Sequence, residues 1–247
     1  MSFRIAIPSY KRPVMLSQKT LTFLSEYGIP SDLIDIFVAN EEEKKEYGTL
    51  VPANLYDKIV VGHPGIARQR TFIREYYDEG QRVFSIDDDI RGIVTIKENF
   101  NLLEFIEQMF FLTEKENLTM WGIYPAGNKT YLKNEIRKGV FYIVACFYGF
   151  INRKEMWYPR LDEKEDMWAS LYRAKKDGGV LRCCSVAPKT TYWLKSGGLH
   201  AAGRTIEKEE YCCDILAVMF PEYVEKVYIR KNGHPEVKIK KLPYTLV

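Results

Sequence analysis

The stretch Arg82-Val83-Phe84-Ser85-Ile86-Asp87-Asp88-Asp89 joins a short apolar run directly to three consecutive carboxylates. An apolar run of this length is typical of a buried strand, so the carboxylates are expected at the carboxyl end of a strand. Ligands of open α/β sheets bind beyond those ends. Adjacent carboxylates raise one another's pKa unless positive charge neutralises them. Mg²⁺ or Mn²⁺ is the natural neutraliser and commonly holds substrate phosphates as well. The alternative, a solvated acidic turn, is disfavoured by the apolar strand that fixes the carboxylates in place.

The chain before this stretch alternates strand and helix patterns. Such alternation predicts an α/β protein whose mainly parallel mixed sheet is flanked by helices. Pro8 to Tyr10 and Asn40 are expected at two further strand ends on the same edge of the sheet. The predicted elements are strands at Arg4–Tyr10, Leu33–Ala39, Lys58–Val61 and Arg82–Ile86, helices at Val14–Tyr27 and from Pro64 to Gly80, and a turn or short helix at Glu41–Glu46.

The second half of the sequence is less regular. It contains no internal repeat and no low-complexity linker, which predicts one continuous domain over residues 1–247. The predicted elements are helices at Leu102–Thr113 and Glu165–Asp177, strands at Thr119–Ile123 and Val180–Val186, and a long apolar strand or hairpin at Gly139–Ile151.

Composition narrows the class of protein without naming its partner. The 36 basic and 33 acidic residues give a formal net charge of +3, which permits nucleic acid as a partner but does not argue for it. The sequence has no run of eighteen or more apolar residues, so we expect no membrane span. Its first residues lack a signal-peptide pattern. The five cysteines include the adjacent pairs Cys183-Cys184 and Cys212-Cys213, which lack metal-site or redox spacing. We therefore expect buried free thiols and a cytoplasmic protein.

Two segments resemble a known group of enzymes. Ile5–Pro13 and Phe84–Ile90 look like the opening of GT-A-fold glycosyltransferases. The resemblance implies a GT-A-like (Rossmann-like) fold, a nucleotide-sugar donor such as a UDP-sugar, and a bound Mn²⁺ or Mg²⁺. It divides the domain into a nucleotide-sugar-binding half (1–92) and an acceptor-binding half (93–247).

The same resemblance assigns roles near the donor. Asp87 would contact the ribose or uridine, Asp89 would coordinate the metal, and Asp88 would support either role. Pro64–Arg70 is similar to a G-x-A-R-N stretch beside the nucleotide, with Gln69 where Asn is usual. Independently of the family, this helix start offers backbone N–H groups to an anion. The implied donor-binding residues are Pro8, Tyr10, Arg12, Asn40, Gly65, Arg68, Asp87, Asp88 and Arg204.

Leu161–Trp168 is similar to the E-D motif that opens a helix in many inverting members. A hydroxyl that attacks an anomeric carbon must lose its proton, and a positioned carboxylate is the usual acceptor. The resemblance implies Asp166 as this catalytic base, with Glu165 or Asp162 as alternatives, and inversion of the anomeric centre. Acidic side chains also favour helix N-termini for structural reasons alone.

Lys195–Arg204 is a glycine-flanked loop that carries one of only three histidines. In several GT-A enzymes a late histidine completes the metal site, and a basic residue on the same loop binds the diphosphate. The resemblance implies these roles for His200 and Arg204. A lone histidine is otherwise more often an ordinary polar residue.

Three functions compete for this sequence. The compact chain and its motifs Ile7–Pro13 and Ile86–Ile90 most resemble those of phage-type and oxygenase-associated enzymes that glycosylate hydroxymethylated pyrimidines in DNA. The basic tail residues Lys238, Lys240 and Lys241 would then neutralise phosphates, unless they form a solvated lysine-rich face. The second function is transfer to a glycan, lipid-linked sugar or protein. The third is a non-catalytic module that binds nucleotides or nucleic acid; intact Asp87, Asp89, Asp166 and His200 argue against it.

Overall fold

A nine-stranded mixed sheet forms the centre of the computed structural model, which describes residues 3–155, 161, 163–190 and 205–247. Two further pairs of strands lie outside this sheet. The strands are β1 Arg4–Pro8, β2 Ile34–Val38, β3 Lys58–Val61, β4 Arg82–Ile86, β5 Ile93–Thr95, β6 Met120–Ile123, β7 Ile136–Gly139, β8 Phe147–Ile151, β9 Val180–Cys183, β10 Val186–Pro188, β11 Val224–Ile229, β12 Pro235–Ile239 and β13 Thr245–Leu246.

The strand order of the large sheet is β13-β7-β9-β6-β8-β4-β1-β2-β3. Strands β1, β2, β3 and β4 pair in parallel, as do β6 and β9, whereas β7 and β8 run against them. The carboxyl ends of β1, β2, β4 and β6 therefore meet at one edge. This mainly parallel arrangement confirms the fold class predicted from the sequence.

The helices cover both faces of the sheet. They are α1 Pro13–Leu16, α2 Thr22–Glu26, α3 Glu41–Leu50, α4 Ile66–Tyr76, α5 Leu102–Lys115, α6 Glu165–Asp177 and α7 Ile206–Met219. A π-helical turn, Ser17–Leu21, joins α1 to α2 without a break, and short 3₁₀ turns occupy Ser31–Leu33, Ala53–Leu55 and Lys129–Tyr131. Along β1, Ile5 and Ile7 face the apolar core under α5, and Ala6 faces the core under α4 and α6. This alternation is the period of two that a strand buried on both faces requires.

Two predicted strands differ from the structure. Gly139–Ile151 is wrong both as one strand and as a hairpin, because β7 ends at Gly139, β8 begins only at Phe147, and the two strands do not pair with each other. Between them, segment 140–146 runs beside α6, where the Ile143 amide donates to Ser170 Oγ at 2.9 Å. Val180–Val186 is likewise two strands, since β10 pairs with β5 outside the large sheet. Both stretches are buried over most of their length, so their largely apolar sequence does not indicate where a strand ends.

All five cysteines are free and buried, as predicted. Across the part of the chain that the structure describes, no helix is long and apolar enough to cross a membrane.

Candidate active site

The three carboxylates after β4 divide into one inward and two more accessible groups. The side chain of Asp88 is only 7% exposed, against 33% for Asp87 and 16% for Asp89. Asp88 accepts a hydrogen bond from Ser9 Oγ at 2.6 Å and pairs with Arg12 at 3.3 Å. Asp89 accepts one from Thr190 Oγ1 at 3.1 Å. Asp88 is therefore committed to the scaffold, and Asp87 and Asp89 offer carboxylate oxygens to a ligand.

The turn after β1 is held against α3. Ser9 Oγ lies 2.7 Å from the Tyr47 hydroxyl, which also accepts from the Arg12 amide at 2.9 Å. Glu43 accepts from the Lys11 amide at 2.8 Å. Lys11 has a positive φ of 56°, a conformation that costs a non-glycine residue free energy and needs such support. Asn40 caps α3 by accepting from the Glu43 amide at 2.9 Å.

The π-helical turn positions the backbone of the acidic triplet. Thr20, at its fourth residue, is fully buried and donates to the carbonyl of Asp87 at 2.7 Å. The same hydroxyl accepts from the Ile90 amide at 3.0 Å. One side chain thus fixes the backbone at the first residue of the triplet and directly after its last residue. Single π turns inside helices often mark functional sites.

Arg70 joins the triplet to the second acidic motif. Its guanidinium is 5% exposed and lies 3.3 Å from Asp87 Oδ1 and 2.9 Å from Glu165 Oε1. It also donates to the carbonyl of Ala145 at 3.3 Å. The two carboxylate motifs that the sequence placed in one site therefore meet at a single buried cation.

Of the arginines near this helix start, the prediction assigned Arg68 to donor binding, but Arg68 is exposed, whereas Arg70 and Arg74 are buried on α4. The helical period of the sequence indicates that Arg70 lies on the buried face. Ala67, Arg70 and Ile73 follow one another at intervals of three on the buried face of α4. A charged residue on an apolar helix face requires a buried partner of opposite charge.

Asp166 and Glu165 have different surroundings at the start of α6. Glu165 is 5% exposed and bound to Arg70. Asp166 is partly exposed and accepts a hydrogen bond from the Tyr142 hydroxyl at 2.6 Å. Lys164, just before α6, pairs with Glu236 of β12 at 3.2 Å. The geometry favours Asp166 over Glu165 as a proton acceptor.

The electrostatics of the triplet favour a bound cation. Burial raises the pKa of Asp87 to about 8; Arg70 opposes this shift, and the carboxylates of Asp89 and Asp88 add to it. Burial also raises the pKa of Asp88 to about 6, against hydrogen bonding from Ser9 and the charge of Arg12. Both shifts are due chiefly to burial, which disfavours the charged carboxylates, and a bound cation would oppose it.

The residues present fit a hard divalent cation. Within the described ranges, no three His, Cys, Asp or Glu side chains form a ready-made metal cluster. Mg²⁺ needs fewer protein ligands, since it binds through one or two carboxylates and completes its shell with water and substrate phosphates. Asp87 and Asp89 supply such oxygens. Asp162, His200 and Arg204 lie outside the described residues.

The other predicted donor-binding residues follow the sheet edge. Pro8 is buried at the end of β1, and Tyr10 is half-buried in the turn that follows. Gly65 is exposed at the N-cap of α4 with a φ of +89°, which an L side chain rarely adopts. Gly65 has no side chain, so an anion could approach the backbone N–H groups of the first turn of α4.

The predicted acceptor-binding lysines lie on or just after β12, in the hairpin that β11 and β12 form. Lys238 pairs with Glu225 at 2.7 Å, and Lys240 donates to the carbonyl of Pro221 at 2.8 Å. Lys241 is exposed. The hairpin contacts the start of α6 through the ion pair between Lys164 and Glu236. Lys238, Lys240 and Lys241 therefore belong to an element that contacts the helix carrying Asp166.

No family model and no curated protein matches the sequence. Solved structures do resemble the fold. The structure of Staphylococcus aureus TarS 1-349 in complex with UDP has a TM-score of 0.52 and 12% identity, covering 90% of this chain and 72% of that one. A mycobacterial protein gives 0.51 and 9%, covering 98% and 84%. In a second TarS 1-349 structure the TM-score is 0.49, and the chain spans 59% of that length. The first two likenesses confirm the predicted fold class, a GT-A-like mixed α/β sheet flanked by helices.

Proposed function

We propose that this protein is a metal-dependent glycosyltransferase that moves a sugar from a nucleotide-sugar donor to a hydroxyl group. The observation that carries the proposal is the meeting of Asp87 and Glu165 at Arg70. A donor-binding carboxylate and a base-bearing helix start are what the transfer requires side by side. The same fold in a TarS structure solved with UDP supports a UDP-sugar as the donor.

The donor side of the site is the edge formed by the turn after β1, the start of α4 and the acidic triplet. Asp87 would contact the ribose or uridine, and the first turn of α4 would face the diphosphate. Asp89 would hold Mn²⁺ or Mg²⁺, which neutralises the charge that develops on the departing diphosphate. Ser9 and Arg12 keep Asp88 in place beneath these groups.

Asp166 serves as the catalytic base. The acceptor oxygen forms a bond to the anomeric carbon while the bond from that carbon to the diphosphate oxygen breaks, and the acceptor proton passes to Asp166. Tyr142 orients the carboxylate through its hydroxyl. A single displacement of this kind inverts the anomeric centre.

We propose a hydroxymethylated pyrimidine in DNA as the acceptor. The support is the basic hairpin, whose Lys238, Lys240 and Lys241 lie on an element bound to the start of α6. Such lysines suit phosphates, although Glu225 offsets part of their charge. The base must leave the helical stack for its hydroxyl to reach Asp166, at a cost of a few kcal/mol.

The test is transfer itself. The protein is incubated with Mn²⁺, a panel of nucleotide sugars, and plain or hydroxymethylated DNA, and the digested nucleosides are weighed by mass spectrometry. Sugar on the hydroxymethylated nucleoside alone is the expected result. Donor turnover without nucleoside modification would favour a glycan, lipid-linked sugar or protein acceptor. Nucleotide binding without turnover of any donor would favour the non-catalytic module.

A further inference from the structure

We infer that Arg70 is a positioning residue that fixes the start of α6, and with it Asp166, relative to the acidic triplet. This inference rests on the proposed function. Arg70 lies at the centre of the site without being needed to touch the reacting atoms, because Asp87 and Glu165 already occupy its guanidinium. It acts through these two carboxylates.

The geometry uses the fork of the guanidinium. One terminal nitrogen pairs with Glu165, and the other pairs with Asp87 and donates to the carbonyl of Ala145. Ala145 belongs to segment 140–146, which also supplies the Tyr142 hydroxyl that binds Asp166. Arg70 thus contacts the triplet, the base helix and the segment that orients the base. The compact ammonium of a lysine cannot reproduce this planar arrangement.

Burial shows that the charge is not incidental. Burial of a guanidinium costs free energy unless oppositely charged groups compensate it. The carboxylates of Asp87 and Glu165 provide that compensation for Arg70. Arg74, one turn along the same helix, is equally buried, and its Cζ atom lies 4.2 Å from the ring centroid of Phe150. It offers a matched control, because Arg74→Lys makes the same chemical change on the same helix face.

The consequence reaches Asp166 through its neighbour. Glu165 directly precedes Asp166, so loss of the Arg70 contact lets the first turn of α6 shift. A displacement of about 1 Å in an active site can lower the rate about 10²-fold. We therefore expect Arg70→Lys to lower kcat by about that factor, with Arg74→Lys within about twofold of wild type.

Variants of Glu165 separate positioning from proton transfer. Glu165→Gln keeps an oxygen that accepts from Arg70, so we expect kcat to fall about tenfold or less. Glu165→Ala removes the contact, and we expect a fall of about 10²-fold with UDP affinity retained, because Arg70 still pairs with Asp87. The double variant Arg70→Lys/Glu165→Ala should be no slower than the worse single variant, since both remove one link.

The experiment measures kcat, UDP affinity by calorimetry, and amide hydrogen exchange of the first turn of α6. A merely structural role for Arg70 predicts a smaller folded fraction but wild-type kcat per folded molecule, and that result would overturn the inference. Equal losses of 10²-fold or more in Glu165→Gln and Glu165→Ala would make Glu165 the base instead. If the wild-type protein transfers no sugar, the proposed function fails. In that case amide hydrogen exchange alone tests the inference. Unchanged exchange of the first turn of α6 in Arg70→Lys would show that Arg70 does not fix this turn.

Discussion

Asp166 and Glu165 are neighbours in sequence, yet of the two only Asp166 is partly exposed and, within the part of the chain that the structure describes, has no ion pair. Replacing Asp166 with Asn preserves its shape and removes its basicity. We expect the rate to fall by about 10²–10⁴, the usual contribution of a positioned base, while UDP affinity is retained. Steady-state kinetics and calorimetry measure the two quantities. An unchanged rate would leave Asp166 as a helix-start carboxylate only.

Asp89 and Asp88 should respond differently to removal. Asp89→Ala deletes a partly exposed group, so we expect loss of transfer and weaker diphosphate binding with little change in the free energy of unfolding. Asp88→Ala removes the carboxylate that accepts from Ser9 and pairs with Arg12, and should cost about 1–3 kcal/mol of stability. Urea denaturation and Mn²⁺-dependent transfer distinguish the pair. Wild-type turnover of Asp89→Ala in EDTA would contradict the metal assignment.

Single residues were predictable from the sequence where backbone position alone determined their place. Asp87 to Asp89 directly follow a strand, and Asp166 opens a helix, so their location followed from local patterns. Arg70 was not assigned its role, because its partner Glu165 is remote in sequence and local patterns do not show which carboxylate a buried arginine meets. Tyr142 was missed for the same reason.

At the scale of elements, the π-helical turn makes a specific prediction. Thr20→Val removes the hydroxyl that binds the Asp87 carbonyl and the Ile90 amide, while keeping the side-chain shape. We expect a loss of about 1–3 kcal/mol in the free energy of unfolding and a raised KM for the donor. Thr20→Ser keeps the hydroxyl and is the control. Equal behaviour of the two variants would show that the hydroxyl does not position the triplet.

Element boundaries could be predicted where polar or turn residues delimit them. Arg82–Ile86 ends at aspartates and Glu165–Asp177 ends at Gly178-Gly179, and both bounds agree with the structure. The break between β7 and β8 has no such marker, because segment 140–146 is packed against α6 and its apolar residues resemble a strand. Tertiary packing determined that boundary.

For the whole molecule, DNA as acceptor predicts salt-dependent binding. Log affinity should fall with log salt with a slope of about −0.9 per neutralised phosphate. Lys238→Ala/Lys240→Ala/Lys241→Ala should flatten that slope and leave UDP affinity unchanged. Fluorescence anisotropy of a labelled duplex at several salt concentrations measures this.

Two further variants test whether the hairpin is the surface involved. Glu225→Gln releases Lys238 from its ion pair and should strengthen duplex binding. Lys44→Ala/Lys45→Ala removes two exposed lysines from α3 and should leave the slope unchanged. Salt-insensitive binding in the wild-type protein would reject DNA as the acceptor.

The π-helical turn has a consequence for chain length. A π turn holds one residue more than an α turn, so the helix from Pro13 to Glu26 contains in effect one inserted residue. Deleting a residue within Ser17–Leu21 would restore a regular helix, but it would rotate one half against the other by about 100°. Thr20 would then no longer face the triplet while the apolar positions of α2 stayed in place. Helix length here is thus a trait that selection for activity and selection for stability would both preserve in related chains, because the Thr20 contacts contribute to both.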